Sequence, residues 1–295
     1  MNQITAMNIA RNVMVNKTIG IEIECYVPRA TRSELNHALA RVVNYQQENW
    51  NTNTRSYWKA IRDGSLGGST PSGYEGAEFI SPPLKPKALF DQLEAVLKVL
   101  NEYGAKVRKS CGFHVHCDAK GFTPKRLQYA LNHYVKSERA LDRIMAPSRR
   151  DNNATYCKGT RAILDTAIDG ARVRTGGEFR YRKLNLTSYA KHGTLEFRHH
   201  GGTLDFAKMV PWIAMCQATT ERCRLKVPRT AEYANPMHNV LVAIKWAKHN
   251  LDGTLSPVTP YHHGLCKFVI DRMNHFGFGN EAPVLGNDAR GGFIS

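Results

Sequence analysis

No run in this 295-residue chain approaches the roughly 20 apolar residues that a membrane-spanning helix requires, so no segment reads as a span. The opening stretch MNQITAMNIARNVMV has neither the continuous apolar core nor the small-residue cleavage site of a secretory signal. It is expected to be a short leader (1–16), with the protein in the cytoplasm. The seven cysteines, Cys25, Cys111, Cys117, Cys157, Cys216, Cys223 and Cys266, include no CxxC pair, which argues against a zinc ribbon. Without an export signal they read as reduced thiols rather than a disulfide framework. Internal repeats and low-complexity tracts are also missing, which excludes a solenoid or a disordered tail protein. Acids are scarce. Forty-one Lys and Arg stand against 25 Asp and Glu, a formal charge of +16 that favours polyanions, nucleotide phosphates included, as partners. The basic residues are dispersed, and only Arg149 to Lys183 is dense, which suits a loop-rich nucleotide-binding mouth better than a DNA-reading helix.

What the chain does contain is a set of polar clusters inside strand-like runs: GIEIE (Gly20–Glu24), YEGAEFISPP (Tyr74–Pro83), CGFHVHC (Cys111–Cys117) and TLEFRHH (Thr194–His200). Side chains alternate along a strand with period two, so Glu22 and Glu24 project together, as do His114 and His116, and Glu196 and Arg198. Aligning acids and imidazoles on strand faces points to something that bridges them, and divalent metal plus phosphate is the simplest bridge. An exposed glutamate pair, hydrogen-bonded histidines or a Glu196–Arg198 ion pair would each produce one such cluster without any function.

The other elements follow from periodicity and turn chemistry. Lys17–Val27 reads as a strand, Thr31–Glu48 as a helix, Tyr57–Arg62 as a short strand before the DGSLGG turn, and Gly76–Ser81 as a strand closed by two prolines. Leu89, Leu93, Val96, Leu97 and Leu100 trace a helix over Pro86–Tyr103 with Gly104 just past its end. Lys106–Asp118 is the next strand, and Thr123 caps a helix running to about Met145, with Pro124 at its first position. Ala146–Gly177 reads as a long active-site loop. Phe179–Ser188 and Thr194–His200 read as a hairpin, followed by helices at about Asp205–Cys223, Met237–His249 and within Pro260–Gly277, and a frayed end at Gly277–Ser295. The expected fold class is α+β, an antiparallel sheet with one polar concave face backed by helices. The domains are expected to be a catalytic unit at 17–225 and a C-terminal helical extension at 226–295.

The order GxExE, DGS, ExxSP, CGxHxH and TLEFRxHxGT resembles the amidoligase family, a branch of the carboxylate–amine ligases that includes glutamine synthetase and glutamate–cysteine ligase. The likeness runs from about Gly20 to Thr203. It implies a glutamine synthetase-like catalytic domain and ATP- and Mg2+-dependent formation of an amide bond through an acyl phosphate. By that resemblance Glu22, His114 and Glu196 hold one magnesium, and Glu24 and Glu78, with Glu75 a further candidate, hold a second. His116 contacts the ATP phosphates and Arg198 the γ-phosphate, which suits the bidentate fork of a guanidinium. Arg180, Arg182 and Asn185 are nucleotide or substrate contacts, fitting the family's RxxxN element loosely. Asp63 and Ser65 receive the incoming amine, or simply close a turn. The Arg149–Arg174 stretch is expected to be a lid shielding the acyl phosphate from water, with Lys158, Arg161, Arg172 and Arg174 toward the substrate carboxylate. Substrates would be a small-molecule or peptide carboxylate and amine, with the positive charge favouring a polyanionic or nucleotide-linked one. Competing readings are a zinc-dependent hydrolase built on His114 and His116, a basic nucleic-acid-binding protein, and a Cys–His enzyme using Cys111. Alternation turns Cys111 and Cys117 away from the histidines, which weakens both sulfur-based options.

Overall fold

The computed structural model describes residues 6–8, 14–225, 260–281, 284–285 and 293–294. At its centre is β1 (Ile19–Pro28), whose residues alternate between the two sides of a seven-stranded sheet. The neighbours of β1 are β4 (Tyr74–Ile80) and β5 (Gly112–Asp118), both antiparallel to it. Outside β4 lie β3 (Trp58–Arg62) and β2 (Tyr45–Gln47), the latter pair parallel; outside β5 lie β9 (Thr194–Gly201) and β8 (Leu184–Asn185). The class is α+β, as expected.

One side of this sheet is apolar. Ile21 and Ile23 of β1, Phe113 and Val115 of β5, and Leu195 and Phe197 of β9 are all essentially inaccessible there. Helices cover them because their own apolar residues recur at helical spacing. Leu89, Phe90, Leu93, Val96, Leu97 and Leu100 form the buried stripe of α2 (Pro86–Glu102), which follows α1 (Arg32–Val42). Gly104, at φ 71°, lets the chain leave α2 in the left-handed conformation. In α3 (Pro124–Asp142) the Thr123 hydroxyl accepts from Arg126 N as the cap, with Pro124 first in the helix. The long α6 (Phe206–Leu225) is buried on nearly every side, and its Phe206 meets Phe90 edge-on at 6.5 Å. Leu265, Cys266, Val269 and Met273 of α7 (Pro260–His275) join the same core.

Three expectations need correction. The helix expected over 31–48 stops at Val42, and Tyr45–Gln47 becomes β2, because the apolar spacing ends at Val43. The hairpin between Phe179 and His200 is two paired residues only. Between β8 and β9 the chain makes α5 (Thr187–His192), while Gly177–Arg180 forms the single turn α4. The 146–177 stretch is not an open loop. It carries 3₁₀ turns at Pro147–Arg149 and Thr160–Ile163 and a short ladder of β6 (Ile168–Asp169) with β7 (Arg172–Val173). The Met237–His249 helix lies outside the described residues. At the expected frayed end, Val284–Leu285 (β10) pairs with Phe293–Ile294 (β11). No helix among the described residues is long and apolar enough to cross a membrane.

Candidate active site

The opposite side of the sheet lines a cleft of about 1420 Å³. Register decides what meets there. Glu22 lies opposite Ile80 on one side and His114 on the other, Glu24 lies opposite Glu78, and His116 lies between Gly20 and Glu196. Four strands therefore bring four carboxylates and two imidazoles to one surface. His114 Nδ1 lies 2.8 Å from Glu22 Oε2, and His116 Nε2 lies 3.1 Å from Glu22 Oε1. On its other edge, His114 Nε2 comes within 3.5 Å of Glu24 Oε1. Gly112 has to be glycine at this point. A Cβ would stand 2.6 Å from the His114 ring and 3.2 Å from a Glu24 oxygen, which also accepts the Gly112 amide.

Glu196 is the most heavily bonded acid. One oxygen takes Asn185 Nδ2 at 2.6 Å and the Ser188 hydroxyl, the other takes an Arg198 guanidinium nitrogen at 2.5 Å. Burial raises its pKa, but Arg198 and His116 outweigh that and hold the carboxyl at about 2. Glu22 is half-buried, and against the rise that burial brings the charges of His116 and His114 and their hydrogen bonds keep it well below the ordinary carboxylate range. Glu78 behaves in the opposite way. Burial, then the charges of Glu22 and Glu24, push it well above that range. His116 loses basicity to burial but regains more from Glu22 and Glu196, ending raised.

This donor chemistry fits divalent cations. Ligand atoms of Glu22, His114 and Glu196 lie within 4.8 Å of one another, and so do those of Glu24, Glu78 and His114. A Glu78 carboxyl raised by burial and by its acidic neighbours is the mark of a carboxylate set that lacks positive charge. Among the described residues no such group unites His114 with His116 or with a thiol, as a zinc hydrolase would need. Cys117 faces the apolar core, and Cys111, which precedes β5, packs with Tyr26 and Leu66.

The chain matches a family described as "Putative amidoligase enzyme" over residues 16–166 and 161–220. It belongs to the amidoligase family. Among curated proteins no relative matches.

Other expected site residues of this family member divide in two. Asp63, Ser65, Arg180, Asn185 and Arg198 line the cleft with the clusters above. Asp63 also closes the expected turn, its carboxylate accepting Ser65 N at 2.8 Å. Glu75 does not belong. Three residues from Glu78, it points through the sheet to the other side and pairs with Arg32 at 3.3 Å. Arg182 lies outside the cleft lining and donates to the carbonyls of Glu178 and Gly159. Lys158, Arg161, Arg172 and Arg174 are exposed and lie outside the cleft lining. Their segment is drawn toward α3, because Ile163, Ala167, Val173 and Phe179 bury in the core and Glu138 accepts Thr160 N. Of the expected lid only Arg149 and Tyr156 reach the cleft.

Several cleft residues went unnoticed in the sequence. Ser188 fixes Glu196, and Thr194 Oγ1 lies 3.1 Å from His116 Nδ1. Lys59 shares the Glu22 row through Ile80, and its ammonium holds the carbonyls of Asn51 and Asn53, organising the loop between β2 and β3. That loop carries Trp50, 66% exposed at the cleft rim. Alternation within WKAIR places Lys59 and Ile61 together and could have flagged the lysine.

Proposed function

We propose that this amidoligase joins a carboxylate to an amine, using ATP to make an acyl phosphate first, on a glutamine synthetase-like catalytic domain. The observation that carries the reading is the convergence of Glu22, Glu24, Glu78, Glu196, His114 and Arg198 on one cleft wall. Glu22, His114 and Glu196 would hold one magnesium ion; Glu24 and Glu78, sharing His114, would hold the other. Such ions, when bound, supply positive charge to phosphate oxygens, the main demand of phosphoryl transfer.

The chain's own groups do the rest. Arg198, held rigidly by Glu196 and by the Tyr156 carbonyl, presents its remaining N–H groups to the γ-phosphate. His116, raised in basicity by Glu22 and Glu196, faces the same phosphates. The substrate carboxylate oxygen attacks phosphorus, and ADP leaves. The amine nitrogen then attacks the acyl carbon, inorganic phosphate leaves, and the amine proton passes to a carboxylate of the cleft, the role we give Asp63. Arg62, Lys120, Arg180 and Lys191 around the mouth favour an anionic substrate.

The test is direct. Titration calorimetry should detect magnesium-dependent ATP binding by the wild-type protein, and incubation with ATP, magnesium and pooled metabolites should yield a condensation product by mass spectrometry. Absence of any nucleotide binding would end this reading.

A further inference from the structure

Behind β9, on the helical side of the sheet, a single carboxylate gathers three segments of chain. Asp142, the last residue of α3, accepts Lys183 Nζ at 2.6 Å and His199 Nε2 at 2.7 Å on one oxygen, and Asp151 N at 3.2 Å on the other. His199 is thereby left with Nδ1 as an acceptor, which the Tyr134 hydroxyl meets at 2.8 Å. Lys183 and His199 are wholly inaccessible, and Asp142 is 6% exposed. Nothing in this knot touches the cleft floor.

Each tethered segment nevertheless touches Arg198. Lys183 accepts the Arg198 amide at 2.8 Å, and His199 is the next residue along β9. The third tether, at Asp151, begins the stretch whose Tyr156 carbonyl takes Arg198 Nε at 3.3 Å and whose Cys157 thiol donates to the Arg198 carbonyl at 3.3 Å. Asp151 sits at φ 48°, the left-handed region that non-glycine residues enter at a cost, and its amide is what Asp142 holds.

The β5–β9 ladder explains why Arg198 needs fixing. Phe113 pairs with His200 and Val115 with Phe197, so Arg198 and His199 together face His114 alone. Such a bulge re-aims side chains while giving up regular pairing. Here it sends Arg198 to the cleft and His199 to Asp142, and returns His200 to the core against Phe113.

We propose that Asp142 is a positioning residue for Arg198, locking the bulge from behind so that the guanidinium keeps one orientation toward the phosphate. The inference rests on the phosphate-binding role given to Arg198 above. It is tested by comparing Mg–AMPPNP with Mg–ADP binding by calorimetry, since the difference isolates the γ-phosphate. Wild type should favour the triphosphate about tenfold or more, the size of a charge-assisted contact, and Arg198→Ala should erase that preference. Asp142→Asn and His199→Gln should each reduce it at least about fivefold with ADP affinity unchanged, and Asp142→Asn should add nothing to Arg198→Ala. A preserved preference in both variants, or equal losses for ADP and AMPPNP, overturns the proposal; if Asp142→Asn does not fold, His199→Gln decides. Should wild type show no preference, the phosphate role fails, and the positioning claim is judged separately from the Arg198 Nε–H resonance. Its hydrogen exchange should speed up roughly tenfold or more in His199→Gln, as for a freed donor, and unchanged exchange overturns the claim.

Discussion

The same strands build both faces of the sheet, yet the two faces handle charge differently. On the helical side Asp142 is surrounded by donors, from His199, Lys183 and the Asp151 amide, and His199 and Lys183 hold its pKa down against burial. On the cleft side Glu22, Glu24, Glu78 and Glu196 share Arg198, His114 and His116, and the shortage appears in Glu78, whose pKa burial and the charges of Glu22 and Glu24 push well above the ordinary carboxylate range. A satisfied polar group in an interior is structural, whereas a group of acids short of partners in an open cleft is poised for a ligand. The contrast predicts that the cleft can be stripped at little cost to folding and the helical side cannot.

The sharpest break comes from one change on each face. His114→Ala takes the imidazole common to both acidic sets, and magnesium-dependent ATP turnover should fall by at least roughly 10²–10³, as when one charge-stabilising group is removed from an active site. Its thermal unfolding should stay cooperative. Phe90→Ala, beneath the sheet and edge-on to Phe206, should do the reverse, costing about 3–5 kcal/mol in denaturant unfolding with nucleotide affinity of the surviving folded protein unchanged. Equal stability losses in the two variants would dissolve the contrast.

How much of this could be read from the sequence follows from the range of each signal. Period two within a strand is local, so the pairs Glu22/Glu24, His114/His116 and Glu196/Arg198 were visible and came out on one face. Register between strands some 90 residues apart is not local, so the sharing of His114 between two acidic groups was not visible. Alternation also fails at a bulge: counted straight through, it would have left His200 beside Arg198 rather than against Phe113. The six-residue α5 is too short for helical periodicity to reveal, which turned an irregular connection into a hairpin. Charge density misplaced the 149–174 segment, because its sparse apolar residues, Ile163, Ala167 and Val173, outweigh its cations in choosing where it packs.

A subtler effect should come from pH. Because Glu78 is raised in the folded protein, its contribution to stability is full below the ordinary carboxylate pKa and is lost as pH climbs through the raised value. Glu22 and Glu196, both lowered, contribute in the opposite sense, present above the ordinary value and lost as pH falls, toward about 2 for Glu196. Metal-free Glu78→Gln should therefore melt roughly 2–4 °C higher than wild type at neutral pH, the shift made by about 1 kcal/mol in a chain of this size. It should also gain less from added magnesium. Melting curves with EDTA and with magnesium across the neutral range measure both, and a variant stabilised by magnesium as fully as wild type would remove Glu78 from the cation-binding set.

The smallest effect belongs to the loop that spans the cleft mouth. Its base is firm: Glu48 accepts from Tyr57, Arg55 and Asn51, which hold its carboxyl at about 2, and Lys59 takes the loop carbonyls. Its far side is not. From the β2–β3 edge it reaches α5 through an exposed Lys191–Thr52 contact and a Thr54 hydroxyl 3.2 Å from His192. Exposed contacts of this kind contribute within about 0.5 kcal/mol, so Lys191→Ala should leave the melting temperature nearly unchanged. Hydrogen exchange at residues 49–54 should nonetheless quicken, because that contact ties the loop to α5. A melting temperature that drops together with faster exchange would mean the loop is part of the folded framework, and the boundary between a self-satisfied back and an accessible front would have to be drawn beyond Trp50.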